Sequence, residues 1–122
     1  MTGRTALPLV YSCSGCSNVA QVANAVALRL DRLGLAEMSC IAGVGGGIKP
    51  LVKLATSGRP VVALDGCVLA CVKGCLSQHG VEPTVHHILT RLDLKKQAGV
   101  DPDPADIERA LAMVQATMPP SG

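Results

Sequence analysis

Apolar residues along the chain fall into short solid runs separated by longer stretches with helical spacing. The first run, Leu7 to Ser12, precedes Val19, Val22, Ala23, Val26, Ala27, Leu30 and Leu33, a repeat that predicts an amphipathic helix from Asn18 to Leu33 with Gly34 as its stop. A second run, Ala36 to Ile41, leads into the glycine-rich stretch Gly43 to Gly47, which reads as a tight strand-to-helix connection. Pro50 then suits the first position of a short helix that Gly58 closes. The third run, Pro60 to Leu64, is almost wholly apolar, as a strand buried on both faces would be. Asp65 and Gly66 are expected to turn the chain directly into a third helix ending near His79 and Gly80. Thr84 to Thr90 alternates, with Val85, His87 and Leu89 on one face and His86, Ile88 and Thr90 on the other. A polar link holding Lys95 and Lys96 leads to Asp103, an N-cap followed by Pro104, and to a last helix through Thr117.

Four strand-then-helix units in series predict a single three-layer α/β domain across residues 1–122, with a core over 7–118 and a short tail over 119–122. The sheet is expected to be mostly parallel, four-stranded and of order 2-1-3-4, in the Rossmann or flavodoxin-like manner. Such sheets bind ligands beyond the carboxyl ends of their strands, where the strand order reverses.

Composition narrows the function classes. Without Trp or Phe, and with Tyr11 alone among aromatics, the core must come from Val, Leu, Ile and Ala. The net charge of +2 is scattered rather than striped, so neither a basic nucleic-acid surface nor a stacking platform is expected. No run approaches the roughly 18 apolar residues of a membrane span, and the N-terminus around Arg4 lacks a signal-peptide core. A cytoplasmic protein is therefore expected, with no membrane and no nucleic acid among its partners, and the sequence indicates no protein partner.

In such a compartment six cysteines call for a reason other than disulfides. Cys13 and Cys16 follow the first strand, Cys40 closes the second and Cys67 follows the third, so all four map to one edge of the sheet. A tetrahedral zinc ion needs its sulfurs within roughly 4 Å of one another, and a Cys-x-x-Cys turn supplies two at once. Cys67, Cys71 and Cys75 recur every four residues. If all three sat on a helix, Cys67 and Cys75 would lie about 12 Å apart along its axis, too far for one ion. The leading ligand set is Cys13, Cys16, Cys67 and Cys71, with Cys40 in reserve. Cys75 is either a core thiol or part of a second, larger or transient site, and a buried apolar stripe with Val68, Val72 and Leu76 would account for Cys71 and Cys75 as small hydrophobes. Helix N-termini at this edge would favour thiolates without a nearby lysine.

The segments Tyr11-Ser12-Cys13-Ser14-Gly15-Cys16-Ser17-Asn18, Met38-Ser39-Cys40-Ile41-Ala42-Gly43 and Asp65-Gly66-Cys67 through Cys71 to Cys75 resemble the DGC-domain family. The likeness spans residues 8–90 and implies zinc binding by cysteines, without a defined reaction.

Other residues read more plainly. Asp65 is foremost a turn and cap residue; His79 suits a helix C-terminus; His86 and His87 lie far in sequence from the cysteine edge. The glycine-rich stretch lacks the Gly-Lys-Ser/Thr ending of a phosphate loop. A metal-binding protein taking Zn²⁺ is the first expectation, and no catalytic constellation is visible. A thiol-disulfide or persulfide enzyme using Cys13 and Cys16 is the alternative. Iron–sulfur ligation comes third, since the spacings match neither common ferredoxin pattern.

Overall fold

Every pair of neighbouring strands in the sheet runs parallel, in the order β2-β1-β3-β4. The computed structural model describes residues 6–120; Arg4 and the last two residues of the tail lie outside that range. The strands are β1 (Leu9–Ser12), β2 (Glu37–Met38), β3 (Val61–Asp65) and β4 (Val85–Ile88). The helices are α1 (Asn18–Arg32), α2 (Ile41–Gly45), α3 (Lys49–Ala55), α4 (Cys71–Ser77) and α5 (Pro104–Gln115), with a 3-10 turn at Leu89–Leu92. The expected α/β class and strand order are both present. Among the described residues no helix is long and apolar enough to cross a membrane.

The two-residue period of the strands divides the core. Val10, Val62 and Leu64 face α1 and α5, where Val22, Val26, Leu30, Leu111 and Val114 complete one apolar layer. Leu9, Tyr11, Val61 and Ala63 face the other way, against Val44 of α2, Ala55 of α3 and Val72 and Leu76 of α4. Both faces of β1 and β3 are covered, which is why these strands read as solid apolar runs. Ser17 caps α1 by accepting from Ala20 N–H at 3.2 Å, and Asp103 caps α5 by accepting from Ala105 N–H at 2.9 Å.

Three sequence expectations are corrected. The second strand is two residues rather than six, because β2 pairs only along its β1 edge and the chain turns at Cys40 into α2. The glycine-rich stretch is not a bare connection: Ile41–Gly45 is helical, with Val44 fully buried and Gly43 and Gly45 lying against Leu51 and Cys75. The third helix begins at Cys71, four residues later than a turn at Asp65-Gly66 suggested, and ends at Ser77. Residues 66–70 form a loop instead, in which Ala70 N–H donates to Cys67 O at 3.1 Å and Ala70 adopts the left-handed region at φ 51.

Gly66 explains how this loop leaves the sheet. A Cβ built there would stand 2.8 Å from Ala20 N and 2.9 Å from Val19 C, both backbone atoms of α1 that cannot yield. The end of β3 therefore passes directly beneath the start of α1, bringing the loops after β1 and β3 together. Gly66→Ala is expected to lower unfolding free energy by about 1–3 kcal/mol, measured by urea denaturation; an unchanged midpoint would contradict this close approach.

Candidate functional site

Beyond the carboxyl ends of β1 and β3 opens a crevice of about 410 Å³. Its lining comes from the β1–α1 loop, the β3–α4 loop, the first turns of α4 and Ile41 of α2, and five of its residues are Cys13, Cys16, Cys67, Cys71 and Cys75. All six cysteines of the chain are free thiols. Cys40 is exposed and outside the lining, although its neighbour Ile41 belongs to it. The leading set of four is thus brought to one crevice, Cys75 joins it and Cys40 does not.

The later start of α4 removes the reason for setting Cys75 apart. Axial rise separates only residues that share a helix, and Cys67 sits in the loop before it. The reading of Cys71 and Cys75 as thiols on a buried stripe also fails in part. Val72 and Leu76 are buried, whereas Val68 is 66% exposed, Leu69 is 73% exposed and Cys71 itself is exposed.

Asp65 organises the floor. Its carboxylate is 1% exposed and accepts from Val72 N–H at 2.8 Å and Lys73 N–H at 3.3 Å, the donors left unpaired in the first turn of α4. His86 Nε2 donates at 2.7 Å to Oδ2 of the same carboxylate, the oxygen that also accepts from Lys73 N–H. The cap reading of Asp65 therefore holds over a longer loop than a simple Asp-Gly turn, and His86 lies beside the cysteine edge despite its distance in sequence. His87, on the opposite face of β4, donates to Thr117 Oγ1 at 2.7 Å, and His79 donates to Val44 O at 2.8 Å.

Asn18 builds the side wall. Its amide donates to Lys95 O at 2.8 Å and accepts from Gln97 N–H at 2.6 Å, while its own N–H donates to Gln97 O at 3.0 Å. Gly99 N–H donates to Cys16 O at 3.1 Å. These bonds lay residues 95–99 along the crevice and bring Lys96 Nζ to 3.4 Å from Cys67 Sγ. A lysine does stand at the site, contrary to the sequence expectation. Lys96 and the Asn18 clamp were missed because the contact bridges 29 residues and only the assembled loops create it.

The electrostatics differ from thiol to thiol. Burial pushes the Cys13 thiol above its ordinary range, a hydrogen bond from Gly66 N–H at 3.1 Å offsets part of this, and Asp65, Cys71 and Cys67 push it further up. Burial likewise raises Cys75, with Cys71 and Asp65 adding to it. At the N-terminus of α4 the Val72 and Lys73 N–H groups are taken by the Asp65 carboxylate. Among the described residues no three or more His, Cys, Asp or Glu side chains stand arranged to hold a metal ion. The thiols line one crevice without being closed into a cage. Thiol sulfur is a donor of the kind that suits a thiophilic ion.

Asp65→Ala orphans buried N–H groups of α4 and is expected to destabilise the chain by about 1–3 kcal/mol, seen by urea denaturation; equal midpoints would refute this role. Folding raises Cys13 and Cys75, so the stability held by these neutral thiols is complete below the unfolded thiol value of about 8.5 and declines as pH rises through the folded values. The denaturation midpoint of the reduced, metal-free protein should fall between about pH 8 and pH 10, and fall less in Cys13→Ser; a flat profile would contradict the burial of these thiols.

The family model of the DGC domain matches residues 9–114, and therefore all four strands and nearly the whole of the five helices. The chain is 60% identical over 116 residues to the anaerobic and virulence modulator AnvM of Pseudomonas aeruginosa, an alignment covering 95% of this chain and 88% of that protein. No solved structure matches the chain significantly. The chain belongs to the DGC-domain family.

Proposed function

We propose that this chain is a metal-binding protein whose crevice thiols take a thiophilic ion, zinc foremost, through Cys13, Cys16, Cys67 and Cys71. The observation that carries this reading is the gathering of five free thiols at the switch point of a parallel sheet, from segments far apart in sequence. Zinc bonds to thiolate sulfur at about 2.3 Å. Loading therefore draws the two loops together and expels the thiol protons, so affinity rises with pH. Gly66 N–H, already bonded to Cys13 Sγ, would orient that ligand and carry part of its charge. Lys96 would balance part of the charge at Cys67.

Four thiolates close the coordination shell of one zinc, which fits carriage, sensing or structural locking better than hydrolysis. The name of the relative AnvM, an anaerobic and virulence modulator, supports a regulatory use of the site, in which metal occupancy reports whether the thiols are reduced. A second reading, thiol redox or sulfur-transfer chemistry, is favoured by the Lys96 ammonium beside Cys67, which supplies positive charge at that sulfur. An iron–sulfur cluster would draw on the same thiols and would colour the protein.

Protein purified anaerobically without chelator is expected to carry at least one zinc per chain by elemental analysis. Cys13→Ser and Cys67→Ser should lose most of that metal while keeping their circular dichroism. A metal-free protein with a reversible Cys13–Cys16 disulfide would overturn the reading in favour of redox chemistry.

A further inference from the structure

We infer that the crevice takes two thiophilic ions rather than one, the second held between Cys71 and Cys75 at the α4 end and sharing the Cys71 sulfur with the first. This rests on the metal-binding reading above and deepens it. One tetrahedral ion uses four sulfurs at about 2.3 Å, yet five thiols line this crevice. Cys71 and Cys75 are the first and fifth residues of α4, so they project from one face about 6 Å apart, a spacing at which two side chains chelate one ion.

The placement of Cys75 is built rather than incidental. Gly45 packs against it so closely that a Cβ there would stand 2.9 Å from its sulfur. Glycine at this position lets α2 and α4 approach while the thiol keeps its place in the lining. Cys71 is the natural bridge, since it opens α4 one turn before Cys75 and lines the same crevice as Cys13.

Charge favours the second ion. Four thiolates on one divalent zinc leave about two net negative charges, and the buried Asp65 carboxylate lies beneath them. A second divalent ion that adds only the Cys75 thiolate brings the cluster one unit closer to neutrality. With two protein sulfurs and open coordination positions, that ion is the weaker and more exchangeable of the two. Binding it breaks the S–H bond of Cys75, forms one metal–sulfur bond to that thiolate and one to the Cys71 thiolate already on the first ion, and releases one proton to solvent; no redox change is involved.

The test is a titration of the full, reduced, metal-free chain with Zn²⁺ under argon against a chromophoric chelator, with native mass spectrometry counting bound ions. Two steps are expected, the second at least tenfold weaker. Cys75→Ser should abolish the second step and keep the first, and Gly45→Ala, which retains every sulfur but crowds Cys75, should weaken the second at least threefold. Titration with Cd²⁺ should show thiolate-to-cadmium absorbance still growing through the second equivalent. A single step, unaltered in Cys75→Ser, would overturn the second ion and leave the first reading intact. Two steps that both survive Cys75→Ser would place the second ion elsewhere and overturn the inference as well. No binding at all would overturn both readings.

Discussion

The carboxylate of Asp65 is buried at the carboxyl end of β3, and three elements of the structure converge on it. It takes the first free N–H groups of α4, it accepts from His86 of β4, and it holds the far end of the loop that carries Cys67. A buried charge of this kind is tolerable only when its oxygens are fully occupied by donors. That demand fixes where α4 begins. Because the helix starts at Cys71 and not at Gly66, Cys67 is free of the helix axis, and Cys71 and Cys75 occupy its first turns facing the crevice. Burial foremost raises the Cys13 and Cys75 thiols, and the charge of the same carboxylate adds to that rise.

A second constraint comes from the sheet. Parallel strands deliver their carboxyl ends to one edge, and in the order β2-β1-β3-β4 the exits of β1 and β3 are adjacent. Gly66 lets the β3 exit run against the backbone of α1, and Asn18 ties residues 95–97 alongside. Loops from three distant parts of the chain thus form one wall. Cys13 packs against the apolar clusters on both faces of the sheet, while Cys16 and Cys71 are exposed.

Much of this was legible in the sequence. Periodicity located β1, α1, β3 and α5 because each buries a solid run or a clean stripe, serial strand–helix units pointed to a parallel sheet, and the expected order 2-1-3-4 is the one present. What escaped had a common physical cause: contacts across long separations overrode local signals. Asp65-Gly66 has the local form of a turn into a helix, but the carboxylate finds its donors at residues 72 and 73. The glycines of 43–47 disfavour helix locally, yet burial of Val44 and close packing on Leu51 and Cys75 impose one. At the site, the convergence of Cys13, Cys16, Cys67 and Cys71 was readable from strand ends, whereas the inclusion of Cys75, the exclusion of Cys40 and the arrival of Lys96 depend on where α2, α4 and the 95–99 segment settle.

The central claim is that these thiols act together as ligands. Zinc K-edge X-ray absorption of the anaerobically loaded chain tests it most directly. The account predicts a first shell dominated by sulfur at about 2.3 Å, together with a zinc–zinc vector at two equivalents of metal. A shell of nitrogen and oxygen at about 2.0–2.1 Å, with no sulfur, would contradict it.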